Sequence, residues 1–347
     1  MVLSKVFCSK CGNPRENFEL LCSVCNSPFI IRVSGPYERE IAGNFDYFTK
    51  PLIEIGTRTP IITEEKFKAK LEYYNPTLSY KDRGMNTLFS FLNEKGYLNS
   101  VDSYCEDSSG NAGASFAFFS NILNLNSTVF ASRTANLNKL KQIEEYGSKL
   151  VKVTGNRSAV ENAAKNSGMK YLGHQYWPEF YDGFRAISYE IFEQSEKIPD
   201  DIIIPFSTGT LYLGVFEGFS HLFQNGLIGR IPTLWAIQPE RASGMYNHLN
   251  GIEKNTRPSV ADALTGVLPL RHALLSSVIK SYGRCETVSE TEIINAKREL
   301  LKMGLDCEYS SSVTYAAFKK YNLDENTLLL LTGHGMKNVG SMNHRMR

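Results

Sequence analysis

In the stretch NPTLSYKDRG, Asn75 to Gly84, a lysine stands between Tyr80 and the pair Asp82-Arg83. Asn75-Pro76 breaks the preceding chain, Thr77 and Ser79 add hydroxyls, and the run MNTLFSFL that follows has the apolar content of a helix. Lys81 therefore belongs near a helix N-terminus. The positive end of that helix, with Arg83 close by, disfavours an ammonium and favours the free amine. A neutral lysine amine is the nucleophile of Schiff-base chemistry. The plain alternative is a solvated, charged first helical turn.

Three further junctions carry residues suited to holding anions where a strand gives way to a helix. In EDSSGNAGASFAFF, Glu106 to Phe119, the residues Ser108, Ser109, Gly110 and Asn111 precede an alanine-rich helix. Free N–H groups and two hydroxyls then converge on one spot, which suits a carboxylate, although Ser and Asn also cap ordinary helices. In IPFSTGTLYLGVFEGF, Ile204 to Phe219, a buried strand ends in Ser207-Thr208-Gly209-Thr210. That is a phosphate cradle in outline, without the P-loop lysine or the dinucleotide glycine spacing. In LLLLTGHGMKN, Leu328 to Asn338, a strand runs into Thr332-Gly333-His334-Gly335. There His334 is either a base or a structural hydrogen-bonder, and the glycines also serve a plain strand exit.

Four of the seven cysteines lie near the N-terminus as Cys8-x2-Cys11 and Cys22-x2-Cys25. Each pair can present two thiolates from one knuckle, and two knuckles make a closed four-sulfur zinc site. A chance cluster of thiols and a pair of disulfides are the alternatives, the latter disfavoured in a reducing compartment. Only Lys5, Lys10 and Arg15 are basic there, with no interleaved aromatics, so a structural staple is expected rather than a nucleic-acid module.

The elements that must position these groups follow from pattern. From about residue 50, apolar runs alternate with amphipathic segments, the mark of an α/β protein. STVFAS, KLVKVT, DIIIPF, PTLWAIQP and NTLLLLTGHG are expected as buried strands; NLNKLKQIEEYG and ETEIINAKRELLKMG are expected as helices closed by Gly147 and Gly304. At 347 residues and 42% hydrophobic content the chain can bury two cores. Its 38 basic and 36 acidic residues leave a net charge of +2 without long runs, so neither a nucleic acid nor a membrane surface is the expected partner. No run approaches the ~20 apolar residues of a span and the N-terminus lacks a secretory core, so a cytoplasmic protein acting on a small molecule is expected.

Taken in order, the lysine junction, the Ser-Ser-Gly-Asn-Ala-Gly loop, the Ser-Thr-Gly-Thr loop and the Thr-Gly-His-Gly turn resemble the fold-type II pyridoxal-phosphate enzymes. Among these the sequence looks like threonine synthases, where NPTGSFKDRG, an SGN loop and TGHGLK are the familiar forms. The cysteine knuckles resemble an extension carried by some of them. The likeness spans essentially the whole chain. It implies two doubly wound α/β domains behind a small four-cysteine zinc-knuckle segment, with residues 1–28 as the zinc-ribbon-like part, 29–74 with 178–347 as a discontinuous large domain, and 75–177 as the small one; a homodimer is compatible with it.

The resemblance also assigns roles. Lys81 would carry pyridoxal 5′-phosphate as a Schiff base and later move protons. Asn111 would hydrogen-bond the ring hydroxyl; Ser207, Thr208, Gly209, Thr210 and Leu211 would hold the phosphate, and Thr332 would meet the pyridine nitrogen. A hydroxyl there weakens the ring as an electron sink, which favours elimination and replacement over transamination. Ser108, Ser109 and the N–H of Ala112 would grip the substrate carboxylate. The implied reaction is conversion of O-phospho-L-homoserine and water to L-threonine and phosphate. Departures are plain. Leu78 stands where a glycine is usual and is expected to narrow the approach, Tyr80 replaces phenylalanine, and Ser207 replaces a common glycine. In WPEFYDGFRA, Trp177 to Ala186, which resembles NPxRxEGxKT, the arginine expected on a substrate phosphate falls on Phe180. Arg185, with Ser79 and Ser108, is then the set left for that phosphate. The competing readings are β-elimination or β-replacement on another small amino acid, and a non-catalytic regulator, against which the joint presence of Lys81, Asn111 and Thr332 argues.

Overall fold

A computed structural model describes residues 2–54 and 58–339. Three sheets organise these residues. An antiparallel ribbon pairs β1 (Leu3–Cys8) with β2 (Phe29–Ser34), Cys8 opposite Phe29. The remaining strands are β3 (Ile61–Thr63), β4 (Lys68–Lys70), β5 (Ser103–Glu106), β6 (Asn126–Ser132), β7 (Lys149–Val153), β8 (Lys170–Tyr171), β9 (Asp201–Pro205), β10 (Thr233–Pro239), β11 (Gly283–Val288) and β12 (Thr327–Leu330). A six-stranded sheet has the order β11-β10-β9-β12-β4-β3, parallel except for β3, and a four-stranded parallel sheet has the order β7-β6-β5-β8.

The helices are α1 (Lys81–Glu94), α2 (Asn111–Ile122), α3 (Leu137–Glu145), α4 (Arg157–Lys165), α5 (Pro178–Asp182), α6 (Arg185–Gln194), α7 (Thr210–Gln224), α8 (Gly244–Asn250), α9 (His272–Tyr282), α10 (Glu290–Lys302) and α11 (Tyr309–Lys320). None among the described residues is long and apolar enough to cross a membrane. The large sheet is covered on both faces, as parallel sheets require. Ile202, Ile204, Leu328 and Leu330 enter one core, while the alternating Ile203, Leu329 and Leu331 enter the other.

The strands and helices expected from pattern form where they were expected, with one difference in burial. KLVKVT was read as a buried strand, yet Lys149, Val151 and Lys152 of β7 are exposed, because β7 is the edge of the smaller sheet with β6 alone beside it. β2 carries the N-terminal ribbon on to Ser34.

The ribbon is strapped to the body of the protein. Arg15 pairs with Glu179 of α5, and Tyr181 Oη accepts the N–H of Ile31 at 2.7 Å. Arg271 donates to Phe29 O at 2.8 Å and to Gln175 O and Tyr176 O. Short helix α5 is gripped from both sides by glycine contacts. A Cβ on Gly84 of α1 would fall 2.5 Å from Phe180 O, and one on Gly214 of α7 would fall 2.2 Å from Tyr181 O. Only glycine permits those approaches, and they fix Phe180 beside α1.

Candidate active site

One cavity of about 300 Å³ lies where the C-terminal ends of the two parallel sheets face each other, the usual place for ligands in such folds. Lys81, Ser108, Ser109, Asn111, Ala112, Ser207, Thr208, Gly209, Thr210, Leu211 and Thr332 all line it.

Lys81 is the first residue of α1, and the loop before it is closed by Asp82, whose carboxylate accepts the Thr77 N–H and hydroxyl at 2.7 Å each. The Lys81 amine has no hydrogen-bond or ion-pair partner among the described residues. Instead Nζ lies 4.7 Å from the centre of the Tyr80 ring, 5.3 Å from Phe180 and 6.0 Å from Phe184. Burial among these rings pushes its pKa down to about 7, with Glu106 opposing in part. The reason anticipated from sequence needs amending: Arg83 points away, held by Glu72 and Glu190 in a buried network with Lys70 and Thr59. Desolvation, not Arg83, makes the amine available.

The anion cradle is main chain. Gly209 takes φ +75 and delivers the chain into α7, whose first N–H groups have no intrahelical acceptor. Thr208 and Thr210 hydroxyls sit 3.1 Å apart beside them, and Ser207 Oγ accepts the Thr265 N–H at 3.3 Å. Thr332 follows β12, its hydroxyl 3.0 Å from Ser311 Oγ, which also accepts the N–H groups of Thr332 and Gly333 at 3.0 Å each. A buried amine without a partner among the described residues, a 15-residue helix aimed by its N-terminus, and the Thr332 hydroxyl at the third corner fit pyridoxal 5′-phosphate. When bound, that group supplies the electron sink on which bonds at the amino acid's Cα and Cβ are broken. The chain places in the cavity the Lys81 amine, which would be able to move protons, and the α2 N-terminus with Ser108 and Ser109, whose N–H and hydroxyl groups would suit a carboxylate.

Two expected contacts are not made. Arg185 is fully buried outside the cavity: its guanidinium donates to Asp182 at 2.9 and 2.7 Å and to Tyr189 Oη at 2.9 Å, and it packs on Phe45 at 4.5 Å. The three-residue offset to Asp182 across the α5–α6 turn satisfies the charge internally, so no cation reaches a substrate from there. Ser79 lies behind the wall, its backbone bridged to Gly333 and its hydroxyl without a partner. Leu78 also does not narrow the approach: it takes φ +61 with its side chain exposed and off the cavity wall. His334 likewise stays outside, accepting the Met336 N–H at 3.1 Å and lying edge-on to Tyr73.

Other residues that pattern did not single out for the site complete it. His174 lines the cavity against the Phe180 ring, 5.0 Å away, with Nδ1 2.6 Å from Glu106 Oε1. Burial and the nearby Lys81 hold His174 neutral, well below the usual imidazole range, and burial raises Glu106 to about 8. Arg157 pairs with Asp107 at 2.7 Å; Lys139 pairs with Glu308 at 2.8 Å and Asp262 at 3.0 Å. The acid pair Glu106-Asp107 at a strand exit was the available sequence signal. The cations sit on helices α3 and α4, far along the chain, and gave none.

The four cysteine sulfurs lie within 4.8 Å of one another, with separations of 3.3, 3.5 and 3.7 Å across three of the pairs. These are too long for disulfides and close to the edges of a tetrahedral thiolate site. Each knuckle closes the same way, Gly12 N–H to Cys8 O and Asn26 N–H to Cys22 O, with Gly12 and Asn26 at positive φ.

Comparison with known proteins agrees with this geometry. The family model described as pyridoxal-phosphate dependent enzyme matches residues 49–333. The chain is 29% identical to threonine synthase of Methanocaldococcus jannaschii over 77% of this chain and 70% of that one, and 27% identical to threonine synthase of Methanosarcina acetivorans over 95% and 87%. Among solved structures, the processed form of threonine deaminase isoform 2 from Solanum lycopersicum superposes with a TM-score of 0.70 at 20% identity, over 90% of this chain and 88% of that one. O-ureido-L-serine synthase superposes with a TM-score of 0.70 at 20% identity, over 84% and 94%. With a desolvated lysine facing a helix-borne anion cradle and a family match across most of its length, the chain belongs to the fold-type II pyridoxal-phosphate-dependent enzymes.

Proposed function

We propose that the protein catalyses pyridoxal-phosphate-dependent β-elimination or β-replacement on a small amino acid whose leaving group is uncharged. The observation that carries this reading is the state of the cations around the cavity. Besides Lys81, those lining it among the described residues are Lys139 and Arg157, each already neutralised by carboxylates, and Arg185 is sealed outside. The neutral His174 lines the cavity near Lys81, and the buried Phe180 ring backs both side chains. A phosphate dianion pressed there would lose its water without gaining an unpaired cation, at a cost of several kcal/mol. A hydroxyl, carbamoyl or acyl leaving group meets no such penalty.

The second reading, turnover of O-phospho-L-homoserine to threonine and phosphate, is favoured by the two named relatives, both threonine synthases. The holoenzyme incubated with O-phospho-L-homoserine, serine, threonine, diaminopropionate and an O-acylated serine separates the two. Keto acid, ammonia or a β-replaced product from serine, threonine or the O-acylated serine, whose leaving groups carry no charge, supports the first reading. Phosphate and threonine released in equal amounts from phosphohomoserine alone would overturn it. We further propose that Cys8, Cys11, Cys22 and Cys25 hold one structural zinc, their closed sulfur set leaving no position for a substrate. Metal analysis beside Cys8→Ser and Cys22→Ser tests this, and unchanged metal content in both would refute it.

A further inference from the structure

Asn111 opens α2 at the cavity wall, and both ends of its amide are taken. Lys337 Nζ lies 2.9 Å from Oδ1, and Nδ2 lies 2.8 Å from Glu308 Oε2. All three side chains are buried. An ammonium can only donate and a carboxylate here accepts, so the chemistry of the neighbours fixes which end of the amide is oxygen. One N–H of Nδ2 goes to Glu308. The second has no partner among the described residues, and Asn111 lines the cavity, so that N–H is left to whatever binds there. Lys337 does not line the cavity; it sits in the turn Gly335–Asn338, whose Lys337 carbonyl accepts from Asn136 Nδ2 at 3.2 Å. Lys139 steadies the other end by pairing with Glu308.

We propose that Lys337 is a positioning residue for the cofactor: it holds the Asn111 amide so that an N–H, not the carbonyl, faces the oxygen on the pyridoxal ring. An N–H donor favours that oxygen as an anion. Without Lys337 only the Glu308 contact opposes a turn of the amide, and a carbonyl in the same place would accept the proton of the neutral ring hydroxyl instead. The residue thus acts on the cofactor's protonation through Asn111 while touching neither cofactor nor substrate.

The test uses cofactor-loaded wild type, Lys337→Met, Asn111→Ala and the double variant, with visible spectra taken across a pH series and cofactor dissociation measured. Lys337→Met should move absorption from the yellow band toward the near ultraviolet and weaken cofactor retention roughly tenfold, the loss of one buried hydrogen bond. In the Asn111→Ala background it should add no further shift. Lys337→Arg, which keeps a donor, should restore the wild-type spectrum. Asn111→Asp keeps the oxygen toward Lys337 and deletes the N–H, so it should reproduce the spectral change even if Lys337→Met fails to fold. An equal shift in both backgrounds, no shift in the wild-type background, or an unchanged spectrum in Asn111→Asp would each overturn the proposal.

Discussion

At the cofactor end of the cavity the walls are mostly main chain: the first turns of α2 and α7, the αL residue Gly209, and the strand exit at Thr332. At the other end they are side chains, His174 from just before α5, Lys139 from α3, Arg157 from α4 and Asp262 from the loop after α8. The difference is one of information. A helix N-terminus that must present free N–H groups demands small and hydroxyl residues in a short contiguous run, so it is visible in the chain. A wall recruited from four separate segments leaves no local trace.

The largest test of that division is Arg185. Because it neutralises the buried Asp182, Arg185→Met should cost about 3–5 kcal/mol of stability, the penalty for stranding a buried partner. Urea denaturation measures it. An unaltered midpoint with a steep rise in KM would return Arg185 to the substrate end. Next in size is Lys81. Its folded pKa near 7 lies below the unfolded value, so between pH 7 and about 10 the unfolded chain binds more protons and stability rises with pH. Cofactor-free Lys81→Met should therefore exceed wild type in stability by on the order of 4 kcal/mol at pH 7 and below, with the gap closing toward pH 10. A gap that does not change with pH would mean the amine is not desolvated. Glu106, raised by burial, acts in the opposite sense from about pH 4.5 to 8, and in Lys81→Met its pKa moves further up because the Lys81 charge that lowers it is gone. A smaller effect is expected from His174→Ala: kcat/KM should fall roughly tenfold through KM, with cofactor affinity unmoved. Equal loss of cofactor would erase the distinction between the two ends. Smallest is Leu78→Gly. Relief of the φ +61 conformation is partly offset by the freer unfolded chain, so thermal melting should show a gain of at most about 1 kcal/mol.

Leu78 also shows where reading the sequence stops. The departure from glycine was visible, but its effect lies in the backbone angle and not in the cavity. Arg185 shows the same limit: its position along the chain placed a cation near the segment, and only the turn between α5 and α6 decides that it faces Asp182. The strands were legible because β9 and β12 are buried on both faces and made of Ile and Leu. The exposure of β7 was not, since edge position depends on which strands pair.

The strap between the N-terminal ribbon and the body has a consequence for synthesis. Arg271 reaches Phe29 across 242 residues, and Tyr181 reaches Ile31 across 150. At ~5–20 residues per second, the ribbon must wait roughly 10–50 s after its own translation before its last anchor emerges. Until Glu179 and Tyr181 emerge its stability rests on local contacts alone, the Cys8 and Cys22 knuckles and a six-residue pairing, and Arg271 completes the strap only later. The ribbon is made well before its anchors, and its docking finishes only when Arg271 is in place.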